Sequence, residues 1–295
     1  MSHVAEEIAD QPACWSRALD LSPGGLPEPG ERVAVIGCGT SLYVAQAYAA
    51  LRESSGLGET DAFAASEFPE ARRYDRLLAI TRSGTTTEVL DALDRARGVR
   101  TVAVTAGLDT PVVTAAGTVV DLSFADEKSV VQTRFATTCL VLLRGHLGLA
   151  PADLVEQGAR AAHEDLPEGA LAAGQFTFLG TGWTVGLAHE AALKLREASG
   201  SWTESYPAME YRHGPISIGA PGRLVWFFGP PPAGLAEQVR ATGAAVAGTA
   251  AADTARDPLA ELVRAQRLAV ALAEARGLDP DRPRNLTRSI VLAGP

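Results

Sequence analysis

Short apolar runs rich in β-branched residues recur along the chain, and between them the apolar positions fall at helical spacing. In the first half the runs are ERVAVIG, DAFAA, RLLAIT, VRTVAVT and TVVDLS. Strands of this kind alternating with helices predict a parallel sheet covered by helices, the α/β class. A stretch of Pro, Gly, Ala and acids, HEDLPEGALAAG, reads as a linker, and the alternation resumes with FTFLG, GRLVWFF and GAAVAGT. Two domains are expected, residues 1–150 with an N-terminal helix and residues 151–295 with a C-terminal tail. VAVIGCGTSLYVAQ, which begins at Val33, and FTFLGTGWTVGLAH, which begins at Phe176, share a strand, a G-x-G turn and a helix start, 143 residues apart. The echo points to two copies of one α/β unit, although most α/β units begin this way.

Composition narrows the function. A chain of 295 residues with 46% apolar content exceeds one usual core, in keeping with two compact halves. The formal charge of −9 and the lack of any Lys/Arg run argue against a nucleic-acid surface. Cys14, Cys38 and Cys139 are odd in number and form no CxxC pair, which fits a reducing compartment and gives no structural zinc site. No apolar run reaches the roughly 18 residues of a membrane helix. The opening MSHVAEEIAD lacks the basic and apolar regions of a signal peptide. A cytoplasmic protein with no membrane partner and no metal is expected.

The stretch LLAITRSGTTTEVLDAL carries a strand into a knot of hydroxyls and then into an amphipathic helix. Thr81, Arg82, Ser83, Thr85, Thr86 and Thr87 stand where a strand's carboxyl end meets a helix start, the crevice in which open α/β sheets bind ligands. Free backbone N–H groups, the helix dipole and the hydroxyls together suit a phosphate. Gly84 permits a close turn, and Arg82 either adds a charge-assisted contact or points to solvent. The plainer alternative is that Thr85 or Thr86 only caps the helix. The earlier turn GCGTS lacks the third glycine of a dinucleotide fingerprint, since Leu42 stands there, and no suitable acid follows. A nicotinamide cofactor is rejected, no GK[ST] exists, and no other cofactor is called for. Thr40 and Ser41 are read as further donors to the same crevice.

The densest chemistry lies in EAALKLREASGSWTESYPAMEYRHGP. Glu190, Lys194 and Glu197 recur at i, i+4 and i+7 and so share one helical face, either as a solvated ion-pair ladder or as working groups. Glu197 stands three residues before the expected terminator Gly200, where the negative helix end disfavours a carboxylate. A carboxylate so placed suits a general base for a carbon-bound proton. His213, near Glu204 and Glu210, is the candidate histidine, with a structural role as the alternative.

In order, GCGTS, ASEF, SGTT, ALKLRE, EYRHGP and PRNLTRS make a pattern that resembles the sugar isomerase (SIS) family, in the amino-sugar phosphate branch that includes the isomerase half of glucosamine-6-phosphate synthase. The resemblance runs from about Glu31 to Leu292 and implies two tandem SIS-type domains. It implies that Thr40, Ser41, Thr81, Arg82, Ser83 and Thr86 line a sugar-phosphate site. Ser129, Val130 and Gln132, in SVVQTR, would close over the sugar. Glu197 would shuttle a proton between C1 and C2, with Lys194 and Glu190 orienting groups around it. His213 would assist ring opening from a neighbouring subunit, which makes a homodimer with shared sites the expected assembly.

Three departures from the family pattern matter. The start MSHVAEE has no cysteine nucleophile, so the amidotransferase half is expected to be absent and glutamine not to be the nitrogen source. Where the family has a tail lysine able to form a Schiff base, this chain has Arg288, a poor nucleophile that keeps charge and hydrogen bonding. The turn SQSGET of the synthase reads TRSGTT here, which makes the site more positive. The expected activity is ring opening and C2 proton abstraction on an amino-sugar 6-phosphate, ending in isomerisation or deamination. The alternatives are a dehydratase removing water across C2 and C3 of an N-acetylhexosamine 6-phosphate, and a non-catalytic sugar-phosphate sensor.

Overall fold

A computed structural model describes residues 2–69, 71–96, 98–249 and 256–292. The chain opens with α1 (His3–Ala9), whose Ser2 cap accepts from the Ala5 N–H, and α2 (Gln11–Leu19). Then come β1 (Val33–Gly37), α3 (Thr40–Ser54), β2 (Thr60–Ala64), β3 (Arg76–Thr81), α4 (Thr87–Arg95), β4 (Arg100–Thr105), the single turn α5 (Val112–Ala115), β5 (Thr118–Asp121) and α6 (Arg134–His146). After α7 (Leu154–Ala161) the alternation repeats as β6 (Gln175–Gly180), α8 (Thr184–Ser199), β7 (Thr203–Pro207), β8 (Arg223–Phe228), α9 (Leu235–Ala241), β9 (Ala245–Gly248) and α10 (Pro258–Ala275).

The strands form two all-parallel sheets, ordered β2-β1-β3-β4-β5 and β7-β6-β8-β9. β1, β3 and β6 are buried along their whole length, as a sheet covered on both faces requires, and this is why they read as unbroken apolar runs. Ile36, Leu77, Ala79 and Ala103 pack with Val89 and Leu93 of α4 on the first sheet; Leu179, Val225 and Phe227 pack with Leu235 and Val239 of α9 on the second. The α/β class with parallel sheets flanked by helices is as expected. The unpredicted strand is β7, a half-exposed edge strand of sequence TESYP that ends in proline.

The described residues of Met1–Pro12, Ser129–Thr133 and Pro151–Leu286 cluster around the four-stranded sheet, and those of Ala13–Lys128, Arg134–Ala150 and Thr287–Pro295 around the five-stranded one. The two compact units therefore interleave along the chain: the N-terminal helix and the segment 129–133 pack with the second sheet, and the tail packs with the first.

The echo has a structural basis. In each unit the first strand, β1 or β6, ends in a glycine pressed against the helix start. A Cβ on Gly37 would lie 2.6 Å from the Ser41 carbonyl carbon, and one on Gly180 would lie 2.3 Å from the Thr184 oxygen. Both following glycines, Gly39 and Gly182, are left-handed, at φ 55° and 57°.

Candidate functional site

In the five-stranded sheet the strand order reverses between β1 and β3, which pair directly. Crossovers leave that point in opposite directions, the arrangement in which open α/β sheets bind ligands at the carboxyl ends of their strands. The turns GCGTS and TRSGTT are the ones that follow β1 and β3. In the four-stranded sheet the equivalent position follows β6 and β8, but the turn after β8 is GPPPAG, which carries no hydroxyl. Thr184 Oγ1 there lies 2.7 Å from the Phe228 carbonyl and so is spent on backbone. The two units share topology, and the described hydroxyl cluster belongs to one of them.

That cluster is built from the backbone outward. Gly84, at φ 66°, lets the chain double back so that its N–H donates to Thr81 Oγ1 at 3.2 Å. Ser83 Oγ accepts from the Thr85 N–H at 3.3 Å and lies 3.4 Å from Thr86 Oγ1. Thr86 occupies the N-cap position of α4, yet its side chain makes no capping hydrogen bond. The plainer reading of this threonine as a helix cap is thus not what the geometry supports. Thr40 and Ser41 lie buried in the first turn of α3.

Arg82 does not turn to solvent. Its side chain is 1% exposed and faces Glu127, itself 0% exposed, at 3.4 Å. Burial pulls the guanidinium pKa down and the Glu127 carboxylate pushes it back up. The extra positive charge of TRSGTT is therefore held inside the unit against an acid. Arg288 lies in the same unit, with its guanidinium on the Asp126 carboxylate at 2.5 Å and on the Glu127 carbonyl. Arg82 in turn donates to the Arg288 carbonyl at 3.0 Å.

The remaining candidates lie in the four-stranded unit. On α8, Lys194 Nζ sits 3.6 Å from Glu190 and 2.5 Å from Glu197. Lys194 and Glu190 are 1% and 2% exposed, so this is no solvated ladder; Glu197 is the open member at 18%. Gly200 ends the helix in the left-handed conformation, as its position predicts. A cavity of about 430 Å³ opens beside Glu197, walled by Arg196, Gly200, Asp279, Arg282 and Arg284 among others. His213 ends the short turn Glu210–His213 and is exposed, as is Glu210, while Glu204 accepts from the Tyr206 hydroxyl at 2.9 Å.

Segment 129–133 brings a surprise. Ser129 Oγ lies against the Glu7 carboxylate and 2.8 Å from the Val131 carbonyl, and its N–H donates to Glu7 at 3.3 Å, so the hydroxyl is occupied within the protein. Val130 is half-buried. Gln132 has a buried Oε1 with no hydrogen-bond partner among the described residues.

Sequence reasoning passed over Glu7, Glu127 and His189. Glu7 had a readable signal, because it shares the inward face of α1 with Val4 and Ile8. Glu127 had none, since its partner is 45 residues away. His189 is half-buried on α8, with Nδ1 2.9 Å from Ser205 Oγ. Burial first, and then Arg196, lower its pKa and keep the ring neutral.

Among the described residues no helix is long and apolar enough to cross a membrane. No protein-family model matches the chain. In sequence it is 28% identical, over 98% of its length, to the glutamine–fructose-6-phosphate aminotransferase (isomerizing) of Aeropyrum pernix. It spans only 57% of that protein, a little over half the length of the curated relatives it matches. In structure it is similar to the glucosamine-6-phosphate deaminase of Thermotoga maritima, with a TM-score of 0.82, 25% identity, and 99% and 100% of the two chains covered. The C-terminal domain of the glucosamine–fructose-6-phosphate aminotransferase of Francisella tularensis shares the fold at a TM-score of 0.78 and 20% identity, over 96% and 98% of the chains. These relatives and neighbours bear out the resemblance read from the motifs, and all three are named as enzymes.

Proposed function

We propose that the chain is a phosphosugar isomerase or deaminase acting on an amino-sugar 6-phosphate. The phosphate is held by Ser83, Thr86 and the amides of the turn after β3, with Thr40 and Ser41 as further donors. The two units act as tandem SIS-type domains, nominally residues 1–150 and 151–295. After ring opening, the C2 proton of the aldose is acidified by the neighbouring carbonyl, and Glu197 removes it. Returning it to C1 completes the aldose–ketose shift. Where the 2-amino group is free, the nitrogen is then an imine at C2, which water hydrolyses to the ketose and ammonia. Gln132 and Val130 contact the sugar, and His213 assists ring opening from a second copy in a homodimer.

The observation that carries this reading is the arrangement on α8: a lysine buried between two carboxylates, one of which opens to a cavity. Lys194 orients Glu197 and balances its charge. A sensor would need the phosphate turn alone, and such a buried cation beside an accessible carboxylate would serve it no purpose. The test is incubation with a panel of 2-amino and 2-acetamido hexose 6-phosphates followed by mass spectrometry. Isomer formation or ammonia release is expected, loss of water would identify the dehydratase alternative, and no conversion of any panel member would overturn the reading.

A further inference from the structure

The C-terminal segment running from Thr287 to Leu292 lies across the first turn of α4, and every contact in question falls within the five-stranded unit. Thr85 Oγ1 donates to Ser289 Oγ at 3.0 Å, the Thr87 N–H donates to the Ile290 carbonyl at 3.2 Å, and the Leu292 N–H donates to Thr87 Oγ1 at 2.9 Å. Apolar burial does not hold this segment down, because Ile290, Val291 and Leu292 are 50%, 66% and 57% exposed. Polar contacts do, and the strongest involve two arginines and two consecutive acids. The Arg82 guanidinium, enclosed with Glu127, reaches the Arg288 carbonyl, while the Arg288 guanidinium folds back onto Asp126 and the Glu127 carbonyl. Glu127 is itself fixed from the other side by the Arg134 N–H at 2.7 Å.

We propose that Arg82 and Arg288 are positioning residues, the two halves of a latch on Glu127 and Asp126 that seats the tail on the start of α4 and thereby determines which donors of the turn face the sugar phosphate. The seated tail takes the Thr87 amide and the Thr85 hydroxyl, and leaves Ser83 and Thr86 to the ligand. Neither arginine then touches the substrate: Arg82 is enclosed, and the Arg288 guanidinium is committed to Asp126 and Glu127. The two departures from the family pattern, an arginine in the turn and an arginine in the tail, become one feature, since the first binds the backbone of the second. The latch rests on the geometry alone, whereas its effect on sugar phosphate rests on the proposed function.

The test is amide hydrogen exchange on the full chain without sugar. Asp126→Asn and Arg288→Gln leave the buried pair intact. In each, the Thr87 and Leu292 amides are expected to exchange about tenfold faster or more, as local opening becomes easier, while the amides of Leu77–Ile80 in β3 keep their protection. Unchanged exchange at Thr87 and Leu292 in both variants would overturn the latch, as would a loss of protection that spreads equally through β3. Should Arg82→Gln alone fail to fold, Arg82→Gln with Glu127→Gln replaces the ion pair by an amide pair, and the same loosening is expected. For any sugar phosphate that the wild type turns over, Asp126→Asn should raise KM with kcat within about twofold. A fall in kcat at constant KM would contradict the positioning role. Failure of the exchange result removes the latch and leaves the proposed function standing, whereas failure of the sugar panel does the reverse.

Discussion

Thr86 separates two accounts of the hydroxyl turn. A threonine that caps a helix through its side chain costs about 1 kcal/mol of stability when cut to alanine. Here the side chain caps nothing, so Thr86→Ala should leave the thermal midpoint nearly unchanged. Under the proposed function Thr86→Ala and Ser83→Ala should each raise KM for the sugar phosphate about tenfold or more, because a hydrogen bond to a charged group is worth roughly 1.5 to 3 kcal/mol. A full cap's loss of stability with unaltered binding would restore the plainer account. The gathering of hydroxyls at this turn was legible from their run after an apolar strand. The direction of Arg82 was not, because its acceptor Glu127 lies 45 residues further along and no local pattern marks the pair. On α8 the spacing of Glu190, Lys194 and Glu197 placed them correctly on one face, and the α8 helix then buried two of the three.

The elements answer to a different set of forces at the opposite end of the first sheet. Glu31, just before β1, accepts from Arg76 at the start of β3 at 2.8 and 2.9 Å and pairs also with Arg100 at the start of β4, so one carboxylate clips three strands. The Arg76 hydrogen bond, offset in part by burial and aided by the Glu28 amide, holds the Glu31 pKa at about 2, below its ordinary 4.5. The fold therefore favours the ionised form. The stabilisation is fully present above about pH 4.5 and is lost as pH falls toward 2. Thermal unfolding followed from pH 7 to 2.5 should show a steeper loss below about pH 4.5 in the wild type than in Glu31→Gln, which should start less stable. Parallel curves would contradict the clip. The strands themselves were readable wherever both faces are covered, as in β1, β3 and β6. The polar edge strand β7 escaped, since TESYP is half-exposed and gains its place by pairing with β6, a long-range event.

At the scale of the molecule, the alternation of strands and helices foretold two parallel sheets, and Gly37 and Gly180 explain why the echo exists: both sit where a Cβ would strike the following helix. The interleaving of the units was not legible, because it depends on where α1, segment 129–133 and the tail dock, and their contacts, such as Glu7 with Ser129 and Arg288 with Asp126, join residues more than a hundred positions apart. The central claim concerns what the chain does to a sugar. It is tested most directly with a C2-deuterated amino-sugar 6-phosphate that the wild type converts, given to wild type and Glu197→Gln side by side. The account predicts that the wild type moves deuterium from C2 to C1 or to solvent, and that Glu197→Gln, close in shape but without a proton acceptor, binds the sugar and leaves the label at C2. Full turnover and full loss of the C2 label in Glu197→Gln would contradict it.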